Sequence, residues 1–315
     1  MLYRNIAKFG IFVILLVTWS LNLSGCTSKT FGSKPSSADL VYGEPKVVGR
    51  LANPDLTEAS GIAASKCQPG VFWTHNDSGN DAYIFAINAA GDNLGTWRVK
   101  DAENFDWEDI AEFRDASGKC FIYIGEIGDN KLRRDVHTIY RVREPVVSAS
   151  DAGTTKSNAR VTDSAEQLNF TYPDGNQNAE TLIVHPVSGD VYVLSKSYEK
   201  PSGVYKLKPN FGGEVERADR IAEIKVPSVP FGLLTGGDVS PDGRRVALCD
   251  YADGYELVLP EGDSNFDDIW KQQPLTIDLG ERNTGEAIGY STDGSAIFAT
   301  TENKRAPVIE LKKKS

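Results

Sequence analysis

The sequence predicts an all-β fold, a β-propeller of five blades, from a motif that returns five times. Each copy is a strand that opens on a small polar or acidic residue, a turn that contains glycine, and an apolar strand. The copies begin 48, 72, 55 and 51 residues apart, at Ser60, Glu108, Glu180, Thr235 and Glu286. Repetition at this period, with alternating apolar and polar residues, is typical of blades built from four antiparallel strands.

Two further strand-like segments follow each of the first four repeats and complete four blades. The fifth repeat is followed by one segment only, at 306–312, and the segment 45–51 (PKVVGRL) belongs to no other blade. Pairing these two segments would close the ring and remove two exposed sheet edges. A six-bladed alternative would need a blade within 146–165, which lacks the necessary alternation. We expect the polar insertion at 148–164 to form a mobile loop.

The N-terminus predicts a secretory signal. Arg4 and Lys8 precede an apolar run over 9–21, and the tetrapeptide LSGC then ends at Cys26. This order resembles the lipobox of bacterial lipoproteins, which implies that residues 1–25 are removed and that Cys26 carries a lipid. The alternative is an uncleaved transmembrane anchor, although the apolar run is shorter than the roughly 20 residues that a span requires.

The rest of the chain divides into a tether and one domain. Residues 26–44 are rich in Ser, Gly, Lys and Pro and have no periodic pattern, which predicts a flexible tether. Residues 45–315 then form the propeller, in the cell envelope on the extracytoplasmic side of a membrane. Thr27 and Ser28 place no aspartate after the lipidated cysteine, which favours the outer membrane in a Gram-negative cell.

The charge of the chain excludes one class of partner. Removing residues 1–25 takes two cations and no anions, so the net charge of the chain changes from −10 to −12. A strongly acidic surface repels phosphate backbones. We therefore expect no binding of nucleic acid.

Three cysteines remain besides Cys26. Cys67 and Cys120 lie between the first and second strands of neighbouring blades, so they belong on the same rim of the propeller. They form either a disulfide or two free thiols, because the sequence does not give their distance. Cys249 lies within an apolar strand and is interpreted as a small buried hydrophobic residue.

The five residues that open the repeats predict a metal site. The first strand of a blade lines the central channel, so Ser60, Glu108, Glu180, Thr235 and Glu286 should converge near the axis at one depth. Three carboxylates placed together raise one another's pKa values or recruit a cation. Carboxylates and hydroxyls offer only oxygen ligands, which suit Ca²⁺ better than zinc or copper. The alternative is that these residues only begin strands near solvent at the channel mouth.

This order of Ser, Glu, Glu, Thr and Glu resembles the calcium-activated apyrase family, which are five-bladed propellers. The resemblance implies a structural and activating calcium ion at Ser60, Glu108, Glu180, Thr235 and Glu286. The chain also resembles a broad group of secreted bacterial propellers. That second resemblance rests on the motifs DWED at 106–109, IGDN at 127–130 and GEAI at 285–288.

Second strands end on the face where the ring residues begin, so catalytic groups are expected there. A phosphohydrolase would use Ca²⁺ as the electrophile, with cationic side chains on phosphate oxygens and a carboxylate that positions water. The residues available for these roles are the cations Arg133, Lys196 and Lys304, the carboxylates Asp77 and Asp129, and His75 as a base or a structural side chain. Asp106, Arg134, Tyr251 and Glu302 are expected on the same face.

The same face argues against one reaction. The stretch HNDSGND, residues 75–81, has no arginine, which the apyrase resemblance requires for nucleotide hydrolysis. No Gly-x-Ser-x-Gly elbow and no phosphate-binding Gly-Lys-Ser/Thr loop occurs in the chain.

The favoured interpretation is a lipid-anchored propeller with a central calcium ion that binds a small molecule or an envelope protein. The alternatives are an apyrase- or phytase-like phosphohydrolase and a scaffold that holds an envelope protein through its rim or the 146–165 loop.

Overall fold

The structure is a computed structural model that describes residues 42–227 and 233–314, and these residues form five sheets. The fold is a five-bladed β-propeller, as the repeats predict. The signal at 1–25, the lipidated Cys26 and most of the tether lie outside the described residues. Within the described ranges, no helix has the length and apolar character needed to cross a membrane.

Blade one contains five strands instead of four. They are β2 (Ala59–Ala64), β3 (Phe72–Asn76), β4 (Tyr83–Ile87), β5 (Asn93–Lys100) and β9 (Arg160–Ser164). β9 pairs in parallel with β5, with Trp97 opposite Arg160. The prediction of a loop over 148–164 is therefore wrong for its second part. The strand escaped detection because a short edge strand needs no apolar alternation: only Thr162 of β9 is buried.

Blade two also gains a fifth strand. Its members are β6 (Trp107–Arg114), β7 (Cys120–Glu126), β8 (His137–Arg143), β10 (Glu166–Thr171) and β14 (Glu216–Arg217). The two-residue β14 pairs in parallel with β10 and comes from the connection that follows blade three's third strand. Each of the extra strands in blades one and two therefore covers an outer sheet edge.

Blades three and four have the four antiparallel strands expected. Blade three consists of β11 (Ala179–Val184), β12 (Val191–Ser195), β13 (Ser202–Leu207) and β15 (Asp219–Ile224). Blade four consists of β16 (Gly236–Val239), β17 (Arg245–Cys249), β18 (Gly254–Val258) and β19 (Leu275–Ile277). The helical segments of the described residues are 3₁₀ turns at Lys156–Asn158 and Phe266–Lys271.

Blade five closes the ring with both ends of the domain. Its strands are β20 (Gly285–Tyr290), β21 (Ala296–Thr301), β22 (Pro307–Lys312) and β1 (Lys46–Arg50). β1 pairs antiparallel with β22, from Lys46 opposite Glu310 to Arg50 opposite Pro307. The predicted closure by an N-terminal strand is confirmed.

The first strands of the blades contact one another in a closed circle, in the order β2, β6, β11, β16, β20 and again β2. Glycines permit this close approach. A Cβ on Gly236 would lie 2.3 Å from the carbonyl oxygen of Glu286, and one on Gly289 would lie 2.5 Å from that of Ile62. The apolar core is divided among the interfaces between neighbouring blades, where the largest buried side chains include Trp73 and Trp107.

The two faces of the propeller are distinguished by chain direction. First strands begin on one face, here called the mouth face, and turn back at the other, the far face. Cys67 and Cys120 form a disulfide on the far face, which decides the choice that the sequence left open. Cys249 is a buried free thiol, as predicted, and burial raises its pKa to about 11.

Candidate metal centre

An extra residue interrupts the first strand of four blades at the same level. In blade one, Ala59 pairs with Asn76 and Gly61 with His75, so that Ser60 stands between them without a partner. The same β-bulge leaves out one residue in each of three other blades, namely Glu108, Glu180 and Glu286. Bulges commonly redirect a side chain next to a functional site. Here they set apart the residues that open the repeats.

Two hydroxyls of this ring join neighbouring blades. Ser60 Oγ donates to the carbonyl oxygen of Glu108 at 2.6 Å and lies 3.3 Å from a carboxylate oxygen of Glu286. Thr235 Oγ1 donates to the carbonyl oxygen of Gly285 at 2.9 Å. Both hydroxyls therefore act first as links between first strands, and each keeps oxygen lone pairs that a cation could use.

The five ring residues are all buried, with at most 6% of their surface exposed. Their carboxylates interact: burial raises the pKa of Glu108 well above its ordinary range, and the charges of Glu180 and Glu286 raise it further. The structure thus brings the ring residues to one place at the axis. The three glutamates of the ring have different neighbouring side chains, so their electrostatic surroundings differ.

Five carboxylates gather on one side of the ring. Ligand oxygens of Asp77, Glu286 and Glu302 lie within 4.8 Å of one another, and so do those of Asp77, Asp106 and Glu108. Asp77 belongs to both groups. We call these five residues the acidic mouth. They come from blades one, two and five, so the candidate metal position is displaced from the axis towards those blades.

The carboxyl groups of the acidic mouth have pKa values above their ordinary ones. Burial, together with the charges of neighbouring carboxylates, raises the pKa of Asp77 to about 6 and that of Glu286 to about 8. The pKa values of Asp106 and Glu302 are raised too, again chiefly by burial. A divalent cation would replace these protons and remove the repulsion between the carboxylates.

Glu180 is separated from the acidic mouth by a lysine. Lys196 Nζ donates to the Glu180 carboxylate and to the Tyr251 hydroxyl, the latter at 2.5 Å. Burial lowers the pKa of Lys196, but Glu180 outweighs burial, so the pKa lies above its ordinary value. The side chains of Lys196 and Glu180 are both nearly buried. Blade three therefore supplies its own cation to the ring.

A glycine makes room for the mouth. Gly128, in the IGDN motif, faces Glu108 and Asp106 so closely that a Cβ would lie 2.1 Å from Glu108 Oε1 and 2.5 Å from the Asp106 carboxylate. Any side chain at this position would displace two of the five carboxylates. The glycine of the IGDN motif therefore leaves the space that the carboxylates of Glu108 and Asp106 occupy.

Asp109, beneath the ring, is a structural residue that the sequence reasoning did not single out. Its carboxylate accepts hydrogen bonds from the backbone N–H groups of Ile110, Leu182 and Gly237, at 2.8, 2.9 and 3.2 Å. These groups belong to blades two, three and four. Burial nevertheless raises the pKa of Asp109 well above its ordinary range. The side chain joins three blades directly below the mouth.

Two of the residues considered for catalysis have structural surroundings. His75 is fully buried, donates from Nδ1 to the carbonyl oxygen of Asn76 at 2.9 Å and packs edge-on against Trp107. Burial lowers its pKa to about 4. The Asp129 carboxylate accepts the backbone N–H of Arg134 at 2.7 Å and organises a turn. Neither arrangement presents a free acid or base to a ligand.

The predicted phosphate-binding cations have different surroundings. Arg133 and Lys304 are exposed, whereas Lys196 is buried against Glu180. The adjacent Arg134 is the arginine that reaches towards the mouth, where its guanidinium donates to Glu126 at 2.5 Å and to the Gly128 carbonyl oxygen at 2.9 Å.

Asp106 and Glu302 were expected on this face but were not recognised as candidate ligands. Asp106 begins the DWED motif and Glu302 follows β21, so neither opens a repeat. The usable signal was that Asp77 and Glu302 both follow a second strand and therefore emerge on the mouth face. Their approach to Glu108 and Glu286 depends on loop geometry, which strand pattern does not reveal.

Comparison with known proteins gives structural likeness only. The sequence matches no protein-family model, and no curated protein matches it. Among solved structures, the PQQ-bound aldose sugar dehydrogenase of Streptomyces coelicolor is similar with a TM-score of 0.47 and 13% identity, over 86% of this chain and 98% of that chain. The nidogen/laminin complex is similar with a TM-score of 0.43 and 14% identity, over 78% of this chain and 73% of that chain.

Proposed function

We propose that this protein is a calcium-binding β-propeller of the cell envelope, anchored through lipid on Cys26, whose mouth face binds a ligand or a partner protein without catalysis. The observation that carries the proposal is the acidic mouth. The mouth consists of two sets of three carboxylates that share Asp77. Within each set, one oxygen from each residue lies within 4.8 Å of the other two. Ca²⁺ takes six to eight oxygen ligands in flexible geometry, which suits a site of carboxylates from several loops.

The donor set fits calcium better than a transition metal. Asp77, Asp106, Glu108, Glu286 and Glu302 offer carboxylate oxygens, and Ser60 adds a hydroxyl within 3.3 Å of Glu286. Imidazole and thiolate, which favour zinc and copper, are not members of either group. The raised pKa values of these carboxyl groups support a cation site, since desolvated carboxylates are stabilised by holding protons or by binding a positive ion.

Charge favours binding over phosphate hydrolysis. Five carboxylates line the mouth, and Lys196, whose charge acts on Asp106, Glu286 and Glu302, is already paired with Glu180. One Ca²⁺ ion neutralises two of the five charges, so a phosphate ester would still approach a negative surface. Phosphohydrolases place unpaired cations on the transferring group. Arg133 and Lys304, which were considered for that role, are exposed.

Chain direction places the start of the propeller domain on the face opposite the acidic mouth. β20 runs from the ring to the far face, β21 returns, and β22 runs again to the far face, where β1 begins opposite Glu310. Just before β1, the Gly43 N–H donates to the Lys312 carbonyl oxygen at 2.8 Å. The chain therefore enters the propeller at the far face, opposite the acidic mouth.

The proposal is tested by melting the full-length protein in EGTA and in millimolar Ca²⁺ at pH 8, with phosphate release from nucleotides and phytate measured on both samples. We expect a rise of several degrees in melting temperature with Ca²⁺ and no release of phosphate. A rise accompanied by phosphate release would replace the binding function by an apyrase- or phytase-like hydrolase. An unchanged melting temperature in Ca²⁺ would contradict calcium binding.

A further inference from the structure

The loop between β5 and β6 carries an exposed aromatic ring beside the acidic mouth. Asp106 of the mouth is the last residue of this loop, and Phe105 precedes it with 66% of its surface exposed. A large apolar side chain in water has a hydration cost that contact with a ligand would remove. Single exposed hydrophobic residues are common, so the surroundings of Phe105 decide whether its exposure has a function.

Hydrogen bonds hold the loop rigidly. The buried Glu126 carboxylate accepts the backbone N–H groups of Phe105 at 2.9 Å and of Asp106 at 3.1 Å. The indole N–H of Trp107 donates to the Glu103 carbonyl oxygen at 2.9 Å. An aromatic residue on a backbone fixed in this way loses little conformational entropy when a ligand binds to it.

Two adjoining grooves meet at Phe105. One has a volume of about 440 Å³ and reaches Asn80, Asp81 and Tyr83, whereas the other has about 630 Å³ and reaches Tyr140 and Gln167. Arg98, Ala102, Glu103 and Phe105 line both. The grooves are therefore continuous along the outer edge of the mouth face, with the phenyl ring between them.

The lining indicates the class of ligand. Five exposed polar side chains line the two grooves, namely Asp81, Arg98, Asp101, Glu103 and Gln167, and the half-buried Arg134 and the buried Glu126 line the second groove. Three exposed carboxylates against one exposed guanidinium disfavour a phosphate-bearing ligand, and the guanidinium groups of Arg98 and Arg134 disfavour a cationic one. An apolar peptide would need an apolar pocket, which polar walls do not offer.

We propose that this double groove, separate from the acidic mouth, binds a neutral oligosaccharide. One sugar ring packs its C–H face against Phe105, where dispersion and release of water favour the contact. Its hydroxyls, which both donate and accept, are matched by the carboxylates of Asp81 and Glu103 and by the donors of Arg98 and Gln167. Several planar polar groups around one aromatic ring supply orientation as well as affinity.

Native affinity electrophoresis of the full-length protein tests the site, with a β-glucan, a mannan and a glycogen in separate gels. We expect at least one polysaccharide to retard the protein, in EGTA as well as in Ca²⁺. Phe105→Ala should weaken that retardation at least tenfold. Tyr198→Ala is the matched control, because Tyr198 is 67% exposed but lines neither groove, and it should bind normally.

Three outcomes would overturn the proposal: no retardation by any of the polysaccharides, equal retardation of Phe105→Ala and the wild type, or equal loss in Phe105→Ala and Tyr198→Ala. Folding is checked by the melting temperature, which removal of an exposed ring should leave nearly unchanged. The calcium-dependent rise in melting temperature should persist in Phe105→Ala, so failure of the groove and failure of the metal site are distinguishable.

Discussion

Lys196 donates a hydrogen bond to the carboxylate of Glu180, and this pair takes one of the three ring glutamates out of the acidic mouth. The hydroxyl of Tyr251 accepts a second hydrogen bond from the same ammonium group. Lys196 Nζ also lies over the Tyr251 ring, 4.6 Å from its centroid. The cation that blade three supplies therefore balances part of the negative charge at the axis. A metal ion has to balance only what remains on the side of blades one, two and five.

Replacing Lys196 by methionine should strengthen calcium binding. The substitution removes a positive charge that repels the ion and frees Glu180 to act as a ligand, so we expect at least about a tenfold gain in affinity at pH 8. Without calcium, the unpaired Glu180 should lower the melting temperature. Isothermal titration calorimetry measures the first effect and thermal denaturation in EGTA the second.

Lys304→Met is the matched control for that variant, because Lys304 is an exposed lysine. Its removal should change calcium affinity by less than about twofold, since exposed charges are screened. Equal affinities of Lys196→Met and the wild type would mean that the ion does not bind near Glu180.

Asp77→Asn should abolish most calcium binding, because Asp77 is the member shared by both carboxylate groups. We expect a loss of at least about a hundredfold in affinity, and a slightly higher melting temperature in EGTA, since Asp106 and Glu302 then repel one charge fewer. Calorimetric titration tests the affinity. Asp163→Asn, an exposed carboxylate on β9, should bind calcium like the wild type, and a shared loss in both variants would speak against a specific site.

Glu112 should make the stability of the protein fall as the pH rises. Burial raises its pKa from 4.5 to about 8, although Lys66 opposes the shift, and neither carboxylate oxygen has a hydrogen-bond partner of ordinary geometry. Because the folded pKa lies above the unfolded one, the folded state holds the proton more tightly. The contribution of Glu112 to stability is complete below about pH 4.5 and is lost as the pH rises to 8.

Glu112→Gln should therefore be more stable than the wild type at pH 9, by a few kcal/mol, and nearly equal to it at pH 5. Urea denaturation in EGTA at both pH values measures the difference. The exposed Glu214 provides the control, and Glu214→Gln should follow the wild type at both pH values. A stability difference that is the same at pH 5 and pH 9 would contradict the assignment of the slope to Glu112.

Asp109→Ala should lower the stability of the propeller, because Asp109 links the first strands of three blades. The variant leaves three buried backbone N–H groups without an acceptor, and each unsatisfied donor costs about 1–3 kcal/mol. We expect a loss of at least about 3 kcal/mol in the free energy of unfolding. Asp109→Asn, which keeps one carbonyl oxygen, should lose less. Urea denaturation that shows a loss below about 1 kcal/mol for the alanine variant would refute the role of Asp109 as a link between blades.

The architecture could be predicted because it depends on repetition. The residues that open the repeats share one place in each blade, and alignment on the apolar residue two positions later was enough to identify Ser60, Glu108, Glu180 and Glu286, which the structure places at β-bulges. Closure by β1 followed from a missing strand. β9 and β14 were missed because short parallel edge strands bury few side chains and leave no alternation in the sequence.

The composition of the site was harder to predict than its position. Whether Glu180 faces a metal or a lysine depends on the rotamer of Lys196, sixteen residues away, and no sequence pattern encodes that choice. Arg133 was preferred from the sequence, but of the two arginines it is Arg134 that bonds to Glu126. In a loop there is no regular alternation of side chains, so the sequence does not tell which of two adjacent residues points towards the mouth. His75 was considered as a base, but its burial follows from packing against Trp107 in the next blade.

Titration of calcium into the metal-free, full-length protein at pH 8 tests the central claim most directly. Isothermal titration calorimetry should find one ion bound per chain in the wild type, with release of protons mainly from Glu286, whose pKa of about 8 leaves it partly protonated at this pH, and little or no binding in Asp77→Asn. Absence of binding to the folded wild-type protein, or binding that Asp77→Asn leaves unchanged, would contradict a calcium site in the acidic mouth.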